Sequence, residues 1–283
     1  DSITSLSNIG QFNSLLSLGD NDNQRFFLQT TIRHADFEID NYFRSSAKRF
    51  DVGLLSTRSN TNQSASFFSA NIIAESNVGR PENMPMSRSG AGIGIRLEGG
   101  QQISQKWSLS GKAEILDWQG THKMQSMTTG DQNKRYDISN NRIYANFDLI
   151  RSFSWLSGQS QWRTGVHYLA NDYGKSLSRD KSAFIEPFGD NETISVARTS
   201  FLQTWPVRSA WKFNFFIEID VDFEIDNHMH NLNSDRFGLN HKIGMQWAPR
   251  MGSMLRLEYH NFEGRQGLGK REGLMLVLMF DGV

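Results

Sequence analysis

The chain has 283 residues, 37% hydrophobic and 12% aromatic, and its 30 basic and 30 acidic side chains balance to a formal net charge of +0. That balance gives no electrostatic case for a nucleic-acid partner, the lack of cysteine excludes disulfides and thiolate metal sites, and no run of about 18 apolar residues offers a transmembrane helix. Mean hydropathy is −0.52, which still permits a membrane barrel, because only every second residue of such a strand meets lipid.

In chain order, residues 1–24 come first. Ile3, Leu6, Ile9, Phe12, Leu15 and Leu16 recur at helical spacing, and Gly19 stands where a helix would stop. A short N-terminal helix or linker is predicted here, ahead of a β domain over residues 25–283. The start, "DSITSLSNIG", has no basic segment leading into an apolar core. The expectation is a chain whose leader has been removed, or a piece of a longer protein.

From Arg25 the period changes to two. Phe26, Leu28 and Ile32 alternate with Gln29, Thr31 and Arg33, and Phe50, Val52 and Leu54 with Asp51 and Gly53. Phe68, Ala70, Ile72 and Ala74 alternate with Ser69, Asn71 and Glu75. Ile93, Ile95 and Leu97 alternate with Gly94, Arg96 and Glu98, and Trp107, Leu109, Ala113 and Ile115 with Ser110, Lys112 and Glu114. Ile143, Ala145, Phe147 and Leu149 alternate with Arg142, Asn146 and Asp148, and Trp162, Val166 and Tyr168 with Arg163, Gly165 and His167. The segment 192–205 sorts its faces poorly. In "KFNFFIEIDVDFEID", the odd positions from Phe213 to Ile225 are all apolar, whereas Glu218, Asp220, Asp222, Glu224 and Asp226 sit on the other face. Three further segments carry Ile243, Met245 and Trp247, then Leu255, Leu257 and Tyr259, then Leu274, Leu276, Leu278 and Phe280. The pattern predicts about 12 strands.

The connections alternate in length. "QGTHKMQSMTTGDQNKR" and "NDYGKSLSRDKSAFIEPFGDNE" are long, and "SFSWLSGQ" and "WPVRS" between and after them are short. A membrane barrel sorts its loops in this way, with short turns on the periplasmic side. Trp107, Trp162, Trp205, Trp211 and Trp247 lie in or beside short connections, while Tyr168, Tyr173 and Tyr259 lie toward long ones. Two interfacial aromatic belts follow. The closing "KREGLMLVLMF" resembles the C-terminal assembly signal of bacterial outer-membrane β-barrel proteins, departing from it in the "DGV" after Phe280. The resemblance implies a closed antiparallel up-and-down barrel in the outer membrane of a Gram-negative bacterium. It also implies contact with outer-membrane lipid and lipopolysaccharide, and delivery by the barrel assembly machinery.

By parity, Arg33, Glu75, Arg96, Glu98, Lys112, Glu114, Arg142, Asp148, Arg163, Glu218, Asp220, Asp222, Glu224, Lys242, Arg256 and Glu258 project into the lumen. The main functional expectation is a channel or porin that passes polar or charged solutes, or a secreted polysaccharide, through this charged lumen. The first alternative is the translocator or anchor barrel of a larger secreted or surface protein, as in autotransporters. The second is a lipid-modifying enzyme. A phospholipase of this kind carries a His-x-Ser constellation, and none occurs here. No cofactor is expected. His228 and His230, near Asp226 and Asp235, are the one weak metal candidate. The glycines of "GAGIGIRLEGG" suit a close approach by backbone or by a lumenal plug.

Overall fold

The computed structural model describes residues 4–21, 23–39, 43–59, 65–81, 86–124, 134–173, 177–178, 192–207, 212–227, 237–248, 253–264 and 270–282. The strands in order are β1 (Thr4–Asn21), β2 (Gln24–Ile39), β3 (Phe43–Ser59), β4 (Ala65–Pro81), β5 (Met86–Gln102), β6 (Trp107–Met124) and β7 (Lys134–Trp155). They continue as β8 (Gly158–Tyr173), β9 (Leu177–Ser178), β10 (Glu192–Pro206), β11 (Phe213–Asn227), β12 (Phe237–Trp247), β13 (Ser253–Gly264) and β14 (Lys270–Gly282). β9 is a two-residue addition to the edge of β7. The other thirteen form one wall, closed where β6 meets β7 and where β1 meets β14.

Alternation decides which face of each strand meets which solvent. On β5, Ile93, Ile95 and Leu97 are 64%, 59% and 44% exposed on the convex face. Large apolar side chains are exposed in the same way around the wall, among them Phe68, Ile115, Phe147, Phe223 and Leu274. A water-soluble surface does not sustain so continuous an apolar face, whereas hydrocarbon favours it. The concave face holds the carboxylates, including Asp51, Glu114, Asp148, Asp222 and Glu258, all buried.

Two expectations are corrected. Residues 4–21 are not a helix before the barrel but strand β1, part of the wall itself, and the described residues contain no helix. The physical reason is pairing. β1 is bonded along most of its length to β2 on one side and β14 on the other, and these ladders override a weak local period. Closure is therefore not antiparallel throughout, since β1 and β14 run parallel, from Thr4 opposite Lys270 to Leu16 opposite Gly282. Thirteen strands leave the first and last pointing the same way.

Strand pairing extends beyond the alternating segments: β2 runs to Ile39 and β3 starts at Phe43, and β4 runs to Pro81 and β5 starts at Met86. β7 is 22 residues long, about twice what a tilted strand needs to cross a bilayer, so this part of the wall stands above the membrane. The strand pairs with the longest stretches of sequence between them, β6–β7, β8–β10 and β11–β12, are all joined at one rim.

Candidate functional site: the charged lumen

Thirteen strands spaced about 4.8 Å apart and tilted by about 40° enclose a cylinder on the order of 25 Å across. Side chains from opposite walls cannot touch over that span, so lumenal charges must pair along the wall. They do so in two arcs.

The first arc runs over β2–β7 and has Glu114 at its hub, 4% exposed. Arg49, from β3, donates to it with both terminal nitrogens at 3.0 and 2.8 Å. Arg142, from β7, reaches Glu114 at 3.2 Å and Glu75 at 2.8 Å. Lys112 is 3.8 Å from Glu114. Asp51 accepts from the Arg49 Nε at 2.8 Å and pairs with Arg96 at 2.7 Å. Arg49 must cross β4 and β5 to reach β6, and glycines on β5 leave the room for packing there. A Cβ on Gly94 would meet the Ile115 carbonyl oxygen at 2.2 Å, and one on Gly90 would meet the Trp118 ring at 2.1 Å. What comes close to these glycines is therefore the neighbouring strand β6, not a separate plug. Trp118 is only 5% exposed and lies inside the wall, away from either belt.

The second arc runs over β10–β13. Asp222 receives Arg198 through Nε at 2.6 Å and Nη2 at 2.8 Å. Lys242 sits 3.1 Å from both Glu218 and Asp220. Arg256 pairs with Glu258 at 2.7 Å and lies 3.7 Å from Glu218, with its guanidinium 4.1 Å from the centre of the Phe216 ring. Phe216 in turn covers Gly244, where a Cβ would meet the ring at 2.4 Å. Asp220 also accepts from Asn240 at 2.8 Å. Register explains the match, because Asp222 stands opposite Arg198 and Glu218 opposite Lys242. The acidic stripe of β11 is thus flanked by cations on both neighbouring strands. Glu224 is 8% exposed on the same face.

Between the arcs, His167 on β8 faces two partners. Its Nδ1 is 2.9 Å from the Tyr144 hydroxyl, and its Nε2 is 3.3 Å from Asp148 Oδ1. Asn146 donates to the other Asp148 oxygen at 2.7 Å. Arg163 Nε is buried nearby without a hydrogen-bond partner among the described residues. Of the remaining expected lumenal groups, Arg33 and Glu98 line a cavity of about 320 Å³ bounded by β1–β3, β5 and β6.

Arg49, Asp51, Arg198 and Tyr144 are lumen-face residues that the expected site omitted. The first two were accessible to parity reasoning, since Arg49 and Asp51 share a face with Gly53. Arg198 stands on the strand before the acidic stripe, but its side could not be assigned because β10 mixes its faces. Ile194 and Val196 are buried on its lumenal side, while Gln203 is buried on the other, where it bonds to Ser160 and the Trp155 carbonyl.

The aromatics collect at the rim of short turns. Trp107, Trp155 and Trp162 are 37%, 51% and 49% exposed. Trp205 stacks on Phe215 at 5.9 Å and Phe213 on Trp247 at 5.8 Å. Tyr168 and Tyr259 are each 38% exposed. Trp211, His228 and His230, and the side chain of Tyr173, lie outside the described residues.

These features define a closed β-barrel of the transmembrane type, apolar outside and charged within. No family model matches the sequence, and no curated protein matches it. Solved structures do. The translocator domain of the autotransporter NalP from Neisseria meningitidis aligns over 87% of this chain and 84% of its own, with a TM-score of 0.59 and 11% identity. The β domain of the Bordetella autotransporter BrkA aligns over 91% of this chain and 94% of its own, with a TM-score of 0.56 and 10% identity. At these identities the likeness is one of fold.

Proposed function

We propose that this barrel is the membrane-embedded translocator and anchor of a polypeptide segment presented at the cell surface. The observation that carries the reading is the direction of β1. Being parallel to β14, it enters the wall from the rim that bears the long connections, which in barrels of this type is the outer one. A segment joined to Asp1 therefore leaves on the cell-surface side. The fold of the two autotransporter domains supports the same reading. In it the barrel carries no catalytic step, lipid and lipopolysaccharide surround the apolar belt, and the barrel assembly machinery inserts the chain. The test is an epitope placed ahead of Asp1. Antibody or protease should reach it on intact cells, and access only after permeabilisation would sink the proposal.

A second reading, a channel for polar solutes, is favoured by the division of the lumen. The first arc presents five cations (Arg33, Arg49, Arg96, Lys112, Arg142) against four carboxylates (Asp51, Glu75, Glu98, Glu114), and the second three cations (Arg198, Lys242, Arg256) against five (Glu218, Asp220, Asp222, Glu224, Glu258). Opposite excesses across one lumen orient a dipolar solute. Single-channel recording with Glu218 and Asp220 neutralised tests it, with reduced cation selectivity expected.

A further inference from the structure

The cavity of about 320 Å³ beside β1–β3 is lined by Gln11, Asn13, Thr31, Arg33, Arg49 and Lys112, among others. Arg33 and Arg49 stand directly opposite each other in the β2–β3 ladder. Like charges in that relation repel. Arg49 resolves its half by turning its guanidinium to Asp51 and Glu114. Arg33 has no such outlet. Among the described residues no carboxylate lies within ion-pairing distance of it, and its register partner on the other side is the neutral Gln11. The two acidic residues of the lining are directed elsewhere. Asp51 is held by Arg49 at 2.8 Å and Arg96 at 2.7 Å, and Glu98 stands opposite Lys112 in the ladder.

We propose that this cavity binds an oxyanion, with the Arg33 fork as its principal ligand. Two coplanar oxygens match the parallel N–H groups of a free guanidinium. The amides of Gln11 and Asn13 and the Thr31 hydroxyl line the same space and supply neutral donors. The bound anion separates Arg33 from Arg49 electrostatically, so binding relieves a repulsion already built into the wall. Phosphate, sulfate and a carboxylate all present this chemistry. The source is either a free ion in the lumen or an acidic side chain of a segment lodged there. The site stands independently of the translocator reading.

The test uses the full chain in zwitterionic detergent, with melting followed at constant ionic strength. The probes are inorganic phosphate and, separately, a short acidic peptide, each compared with chloride. At least one probe should raise the melting temperature saturably, since a ligand bound only by the folded state stabilises it by mass action. Arg33→Gln should weaken the apparent affinity about tenfold or more, while its unliganded melting temperature stays the same or rises as the repulsion is removed. Arg33→Lys, which keeps the charge but not the fork, should fall between. Lys242→Gln, on the opposite arc, should leave the response intact. Response to phosphate identifies a free-ion site, and response to the peptide alone identifies a segment's carboxylate. An equal response in Arg33→Gln, or no response above chloride to either probe in the unaltered chain, overturns the proposal.

Discussion

β11 and β1 cross the same membrane with opposite degrees of sorting. On β11 every outward position from Phe213 to Ile225 is apolar, and the inward face carries Glu218, Asp220, Asp222 and Glu224. On β1 the outward positions include Gly10 and Ser14 beside Phe12, Leu16 and Leu18, and Ile9 and Leu15 share the inward face with Gln11 and Asn13. The contrast shows that sidedness in sequence and membership of the wall are separate properties. β11 is specified by its two solvents. β1 is specified by its two neighbours, whose ladders it completes.

That distinction can be broken by paired substitutions, measured as unfolding free energy by urea titration of tryptophan fluorescence in lipid vesicles. The largest effect belongs to the lumenal face of β11. Asp222→Ala removes both bonds to Arg198 from a site where the carboxylate side chain is 5% exposed. Breaking a buried pair costs about 3–5 kcal/mol, and the lower end applies because the Arg198 side chain is 35% exposed. Next is the lipid face. Ile217→Arg, at a position whose register partner is the apolar Ile243, should cost about 2–4 kcal/mol, whereas Gly10→Arg on β1 should cost about 0–1 kcal/mol. Gly10 stands in register with His34, which already faces outward with its partner Asp36 at 3.0 Å. Equal costs at the two positions would erase the distinction. On the inner face of β1, Asn13→Ala loses the hydrogen bond donated by Gln11 at 3.0 Å, worth about 0.5–1.5 kcal/mol. The smallest effect is Glu218→Gln on β11, below about 1 kcal/mol. Lys242 keeps Asp220 at 3.1 Å and Arg256 keeps Glu258 at 2.7 Å.

The same contrast explains what was legible in the sequence. The wall from β2 to β14 announces itself because hydrocarbon and water impose opposite demands on alternate residues, as at Ile93 and Arg96. The strand β1 escapes this reading. Ile9, Phe12, Leu15 and Leu16 fall at helical spacing, and only the long-range pairing with Lys270–Gly282 reveals that they split between two faces. The faces of β10 escape for a related reason, since Ile194 and Val196 are apolar yet buried toward the lumen, while Gln203 is polar yet buried on the other face, bonded to Ser160 and to the Trp155 carbonyl. Candidate lumenal charges could be read by parity, but their partners could not. Nothing local says that Arg49 passes over two strands to Glu114, because that contact depends on the curvature of the wall and on the bare glycines of β5. Lys242 and Arg198 were legible as cations on the strands either side of β11, and register then sets them opposite Glu218 and Asp222.

The odd strand count has one further geometric consequence. Cylinders of this kind are usually built from an even set of staves, each reversed against the next. Here β2 and β14, the two neighbours of β1, already run in opposite directions, and both turn their even-numbered residues outward. Lifting β1 out of the seam would leave twelve staves that can be drawn together without reversing any of them or exchanging inside for outside. β1 shares this property only with β14 across the seam: withdrawing either one leaves the remaining twelve a fully alternating ring.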